Sequence, residues 1–211
     1  MGSTNEAIKD KTYHHGDLRA ALIREGRTMV EESGIGSLGL RAAARRVGVS
    51  QAAPAYHFGD KAGLLAAIAA QGFDDLRRQR VAALKNAESA EHSVKTMIDL
   101  YVDFALNNEG VFRLMFGDDL VRSSFPELLK IASQSFRVFS DTVEAYCTSL
   151  GITGDKADLA TMTAWSLEHG LANLLLARQI PLSLKPVGRE ELQEAANEIL
   201  ILGIRAFAKQ A

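Results

Sequence analysis

The segment from Leu40 to His57 constrains the fold more than any other part of the chain. Leu40, Ala44 and Val47 repeat with helical spacing and point inward, while Arg41, Arg45 and Arg46 fall on the opposite side. Gly48-Val49-Ser50 then interrupts the pattern. Gly48 stands where a tight turn between helices needs a left-handed backbone, and Val49 can plug the corner. Ser50 is the expected N-cap of a second short helix ending near His57. Two short helices joined by a three-residue turn containing Gly form a helix-turn-helix. Pro54 bears on where the second helix begins. As the fourth helical residue after a Ser50 cap, it would forfeit the first helical bond and crowd the Ser50 carbonyl. With Gln51 as cap it falls in the first turn at little cost. A start at Gln51, or an irregular first turn, is expected.

The rest of the sequence also reads as helix. Asn-Gly hairpin turns and alternating β-branched segments are missing. A first helix spans about Asp17 to Ser33, with Leu18, Ala21, Leu22, Met29 and Val30 as its apolar stripe and Gly34 ending it. Asp60 is the expected N-cap of a helix from Lys61 to about Lys85. Further helices are expected over roughly Ser93 to Asn107, Glu109 to Met115, Pro126 to Leu150, Lys156 to Gln179 and Arg189 to Lys209, separated by Gly and Pro. The fold class is therefore all-α, with about nine helices. Residues 1–13 read as a flexible amino-terminal arm, 14–61 as a helix-turn-helix domain, and 62–211 as a helical domain.

Charge is distributed unevenly. Residues 1–61 carry 9 Lys and Arg against 7 Asp and Glu, and residues 62–211 carry 15 against 19. The first part can meet a polyanion, whereas the acidic remainder would repel one. The single cysteine, Cys147, cannot form an internal disulfide and lies in an apolar helical pattern, which fits a reduced, cytoplasmic setting. No apolar run approaches the roughly 20 residues of a membrane span. Met1 to Lys11 lacks the apolar stretch of a secretory signal, and Glu6 stands where a myristoylation signal needs Ser or Thr.

The stretch from Gly34 to Leu65 closely resembles the tetracycline-repressor (TetR) family of regulators. The matching residues are Arg41, Ala44, Arg45, Arg46, Gly48, Val49, Ser50, His57, Phe58, Asp60 and Lys61. Tyr101 to Ala105, Phe112 to Phe116 and Trp165 to Gly170 are similar to the carboxy-terminal domain subgroup named for a Trp-His-Gly signature. The resemblance implies a DNA-binding regulator, a repressor by expectation, with a ligand pocket inside each subunit. There are two departures. Gly39 replaces the usual Ser or Thr cap, removing a hydroxyl that could bond a phosphate. Ala55 replaces a common aromatic, with Tyr56 one residue later and so about 100° further round the helix.

Within this frame the DNA-binding residues are read as Arg41, Ser50, Gln51, Ala52, Ala53, Tyr56, His57 and Lys61. A recognition helix sets its amino-terminal residues against base edges. Gln51 can pair with adenine through two hydrogen bonds, and Ala52 and Ala53 can touch a thymine methyl. Arg41, Tyr56, His57 and Lys61 are candidate phosphate contacts. Arg45 and Arg46 fit a solvated face as well as a DNA role, and Phe58 fits the core. Lys11, Tyr13 and His14 form a candidate arm contact. The His14-His15 pair has no partner at metal-site spacing, so no metal and no cofactor is expected.

Pockets of this kind are mostly apolar. The expected lining is Phe104, Phe112, Met115, Phe116, Phe136, Trp165 and His169, with His169 as the hydrogen-bonding group, and the effector is expected to be small and apolar or aromatic. Each of these residues also fits a plain core role. Glu168-His169 invites an acid–base reading, but no nucleophile elbow, phosphate loop or H-E-x-x-H accompanies it, so no enzyme activity is expected. One recognition helix covers few base pairs, so a two-fold dimer reading a palindromic operator is expected. Its interface falls to the last two long helices. Leu159, Met162, Ala164, Leu167, Leu171, Leu174 and Leu175 on one, and Leu192, Ala196, Ile199, Leu200, Gly203 and Phe207 on the other, exceed what a single subunit can bury.

Overall fold

Every described element is helical in the computed structural model, which describes residues 15–118, 120, 122–179 and 187–209. The expected amino-terminal arm lies outside the described residues. Nine α-helices follow in order: α1 (His15–Ser33), α2 (Leu40–Val47), α3 (Ala53–Phe58), α4 (Lys61–Leu84), α5 (Ala90–Asn107), α6 (Glu109–Phe116), α7 (Pro126–Ser149), α8 (Asp155–Leu176) and α9 (Arg189–Ala208). Among the described residues no strand occurs.

Local chemistry accounts for several helix ends. Gly48 closes α2 in the left-handed region at φ 77°, its N–H bonding to the Arg45 carbonyl, so a side chain there would be strained. The Asp60 carboxylate accepts from the Gly63 N–H at 2.8 Å and caps α4. Ser89 caps α5 by accepting from the His92 N–H at 3.1 Å, so α5 begins three residues before Ser93.

Ser50 is not the cap of α3. The helix starts later, with Ala52 as N-cap and no side-chain cap bond, after a turn in which the Ala53 N–H bonds to the Ser50 carbonyl at 3.1 Å. This start places Pro54 at the second helical position, where its missing N–H costs no helical bond.

Two apolar clusters hold the molecule together. The larger runs from Leu22 and Val30 of α1 through Leu38 and Ala43 to Leu64, Ile68 and Phe73 of α4, then into Phe104, Phe112, Met115 and Leu171. The helix-turn-helix is therefore packed continuously onto the helices that follow it. The second cluster joins α5, α7, α8 and α9 around Ile98, Phe139, Tyr146, Ala160 and Ile201. Burial pushes the Cys147 thiol up within it, which keeps the group protonated and unreactive.

Candidate DNA interface and interior cavity

The helix α3 divides sharply into two sides. Pro54 and Phe58, four residues apart, face inward; Pro54 is buried and Phe58 packs against the core beneath the Arg19 guanidinium, 5.4 Å from its ring centroid. Ala52, Ala55 and Tyr56 face solvent, and Tyr56 is 84% exposed. Gln51 and Ser50 precede the helix and are exposed, while Ala53 and His57 are half-buried. The His57 ring stands edge-on to Tyr56 at 5.3 Å. Arg41, Arg45 and Lys61 are exposed. Arg46 is committed elsewhere: it pairs with Glu25 at 2.5 Å and Glu32 at 2.9 Å, both on α1. The two readings left open for Arg45 and Arg46 thus separate, because Arg46 ties α2 to α1. This face offers an exposed aromatic, an amide and cations without an ion pair among the described residues, a set suited to phosphates and base edges.

A cavity of about 490 Å³ lies among α4, α5, α6, α7 and α8. Three residues expected from the sequence line it: Phe116, Phe136 and Trp165. Phe104, Phe112 and Met115 do not. They are 2%, 1% and 0% exposed and fill the core, Phe112 among the rings of Tyr101, Phe116 and His169 and Met115 against Gly72 of α4. His169 stands behind the wall, stacked on Trp165 at 5.5 Å and edge-on to Phe116 at 4.9 Å. Burial lowers its pKa, so it is neutral near pH 7. Its Nδ1 shares a 2.7 Å hydrogen bond with the Tyr101 hydroxyl, which the hydroxyl donates in the Nε2-protonated tautomer. Tyr101, itself a lining residue, is pushed up by burial and by the Glu168 charge.

Of the charged residues of the wall, the sequence singled out Glu168 alone, and only for an acid–base reading. Arg80 of α4 and Glu168 of α8 line the cavity and form a buried ion pair, Arg80 Nη2 donating to Oε1 at 2.9 Å and Oε2 at 3.0 Å. The guanidinium also lies 5.2 Å from the Tyr101 ring centroid and 5.0 Å from that of Phe139. Burial pushes Glu168 up to about 7, although Arg80 pulls the other way. Arg80 Nε and Ser135 Oγ are buried without a partner. A signal was present: Arg80 continues the Phe73–Leu76 stripe, and Glu168 continues the Thr161–Ala164 stripe. A charge on an inward stripe marks a buried polar site.

The helices α8 and α9 expose apolar side chains. Leu159 is 58%, Met162 49% and Leu174 48% exposed on α8, while Ile199 is 69% and Leu202 58% exposed on α9. Ala164, Leu171 and Leu200, expected at an interface, are buried within the subunit instead. Among the described residues no helix is long and apolar enough to cross a membrane.

Two family profiles match the chain. The one described as bacterial regulatory proteins, tetR family, covers residues 22–68, and the tetracyclin repressor-like C-terminal domain covers residues 94–200. The chain belongs to the TetR family of transcriptional regulators. It is therefore a DNA-binding regulator, and the helix-turn-helix of α2 and α3 is this family's DNA-binding element. Solved structures share the regulator fold. A protein of unknown function from Rhodococcus sp. RHA1 is 28% identical, with 95% of this chain and 98% of that one covered at a TM-score of 0.74. A TetR/AcrR-family regulator from Thermobifida fusca is 19% identical, with 89% and 98% covered at 0.64. The regulator PfmR from Thermus thermophilus is 18% identical, with 87% and 97% covered at 0.60. No curated protein matches the chain in sequence.

Proposed function

We propose that this TetR-family regulator is a ligand-responsive, cytoplasmic repressor that binds a palindromic operator as a homodimer and has no enzymatic activity. In this reading residues 14–61 bind DNA and residues 62–211 sense the ligand and dimerise. Gln51, with Ser50, Ala52 and Ala53, reads base edges, while Arg41, Tyr56, His57 and Lys61 hold phosphates. The exposed stripes of α8 and α9 meet their two-fold mates in a four-helix interface.

One observation carries the reading. The helix α4 begins at Lys61, beside the recognition helix, and supplies Phe73, Leu76 and Arg80 to the cavity wall. A rigid helix with a rise of about 1.5 Å per residue converts a tilt at the cavity into a displacement at the DNA. An effector that fits best when α4 is tilted changes the spacing of the two recognition helices. To cut operator occupancy tenfold it needs to prefer that arrangement by only about 1.4 kcal/mol.

The test is selection of bound DNA from a random pool with the purified protein, followed by titration of variants. A palindrome with two half-sites is expected. Gln51→Ala should cost about 1–3 kcal/mol and relax one position in each half-site. Lys61→Ala should weaken binding to all sequences alike and flatten the salt dependence. An unchanged ratio of operator to random binding in the Gln51 variant would remove Gln51 from base reading.

A further inference from the structure

The cavity has a second chemical character besides its aromatic wall. We propose that the effector is an organic carboxylate, with an aromatic or acyl body on Phe116, Phe136 and Trp165 and its carboxylate held by Arg122, Arg137 and Ser135. This rests on the ligand-responsive reading above and adds the chemical class of the ligand.

The charges that line the cavity are three guanidinium groups, Arg80, Arg122 and Arg137, and one carboxylate, Glu168. Glu168 is already committed to Arg80 through both of its oxygens. Arg122 donates to the Met115 carbonyl at 3.2 Å and meets no carboxylate among the described residues. Arg137 has no ion pair among the described residues and sits with Ser133, Phe136 and Ser140 on one face of α7, spaced by three, four and seven. That face carries a cation, two hydroxyls and an aromatic ring into one space.

The unsatisfied groups can both donate. Arg80 Nε is a donor without an acceptor, and the Ser135 hydroxyl is unpartnered at 2% residue exposure. A wall rich in donors and short of acceptors is complemented by an acceptor-only group, which an ionised carboxylate is. Guanidinium forks match such a planar anion through paired hydrogen bonds. A cationic ligand would meet Arg122 and Arg137 with repulsion, and a neutral one would make no use of their charge. Arg122 has already given one nitrogen to a carbonyl, which leaves it fewer donors for the three oxygens of a phosphate than for the two of a carboxylate. The volume, about 490 Å³, admits a small amphiphile with a head at the arginines and a body against the rings.

Trp165 lines the cavity and is the only tryptophan in the chain, so its fluorescence reports occupancy directly. The full-length protein is titrated with octanoate, octanol, octyl phosphate, naphthoate and naphthamide. Each carboxylate should bind about tenfold more tightly than its neutral counterpart, equivalent to about 1.4 kcal/mol. Arg122→Gln with Arg137→Gln should abolish that preference and leave octanol binding unchanged. Arg137→Gln alone, at an exposed position, should lower it without disturbing the fold. The proposal is overturned if the neutral compounds bind as tightly, if octyl phosphate binds best, if the double variant keeps its preference, or if no carboxylate changes Trp165 emission. A mobility shift on the selected operator separates the two readings. Charge-selective binding without DNA release upholds the carboxylate site and removes ligand response. Release by octanol but not by octanoate does the reverse.

Discussion

Arg80 and Glu168 are charges on helix stripes that otherwise bury only apolar or small side chains, and each is tolerable only because of the other. Removing the carboxylate with Glu168→Ala would leave a guanidinium buried without compensation, a loss of about 3–5 kcal/mol. The protonation state of Glu168 makes this pair sensitive to pH. Its ordinary value is 4.5, and burial pushes it up to about 7. Between those values the native state holds a proton that the unfolded chain has released, so stability falls as pH rises through the window and is level above it. The slope approaches about 1.4 kcal/mol per pH unit at most. Urea unfolding of wild type and Glu168→Gln across this window isolates the effect, since the variant has no such proton. The difference in stability between the two should shrink or reverse in the variant's favour as pH rises. Parallel curves would show that Glu168 keeps an ordinary carboxylate pKa. Each charge could be seen on an inward stripe, but their pairing was not legible, because the partners are 88 positions apart and only packing brings them together.

At the scale of elements, α6 is held by another helix. Its N-cap, Asn108, makes no side-chain cap bond. Instead Glu31 of α1 accepts from the Gly110 N–H at 2.8 Å and the Val111 N–H at 3.0 Å. Arg27 of α1 reinforces the joint by bonding Asp75 on α4 and the Asn108 side chain, each at 2.5 Å. The fit is close enough that a Cβ on Gly110 would stand 2.6 Å from the Val30 carbonyl oxygen. Gly110→Ala should therefore force α1 and α6 apart and cost about 1–3 kcal/mol, read by urea unfolding. A stability within about 0.5 kcal/mol of wild type would mean that the two backbones separate freely. Since α6 ends at Phe116 on the cavity wall, the same joint ties that wall to α1. All nine helices were legible from periodicity and punctuation, and the one substantive shift was the start of α3. Ser50 is a good cap by type, but the ring of Pro54 excludes the start that would use it.

The whole molecule shows an apolar surface that is exposed among the described residues. Leu159, Met162, Ile199 and Leu202 lie along α8 and α9, well exposed, and a set of this kind on a folded subunit marks an association surface. Leu159→Glu combined with Ile199→Glu should keep the helical circular dichroism of wild type, because both positions are exposed. It should also halve the mass measured by light scattering and abolish binding to a two-half-site operator while leaving weak half-site binding. Retention of the wild-type mass would exclude this face as the interface.

The sequence alone determined what depends on near neighbours. Helical period, the glycine at the α2–α3 turn, the Asp60 cap and the motif from Leu40 to Lys61 are all local, and a few consecutive residues suffice to set their geometry. From them follow the all-helical class and the TetR resemblance. Only the tertiary structure decided which aromatic residues fill the core and which face the cavity. Phe112 and Phe116 lie one turn apart with the same chemistry, and their fates differ because the core encloses the first at 1% exposure and the cavity borders the second. Tertiary structure likewise withdrew Arg46 from the DNA face, buried Leu200 while leaving Ile199 in solvent, and joined Arg80 to Glu168. Each of these depends on which helix surface meets which. That is settled by packing between segments far apart in the chain, which no local pattern encodes.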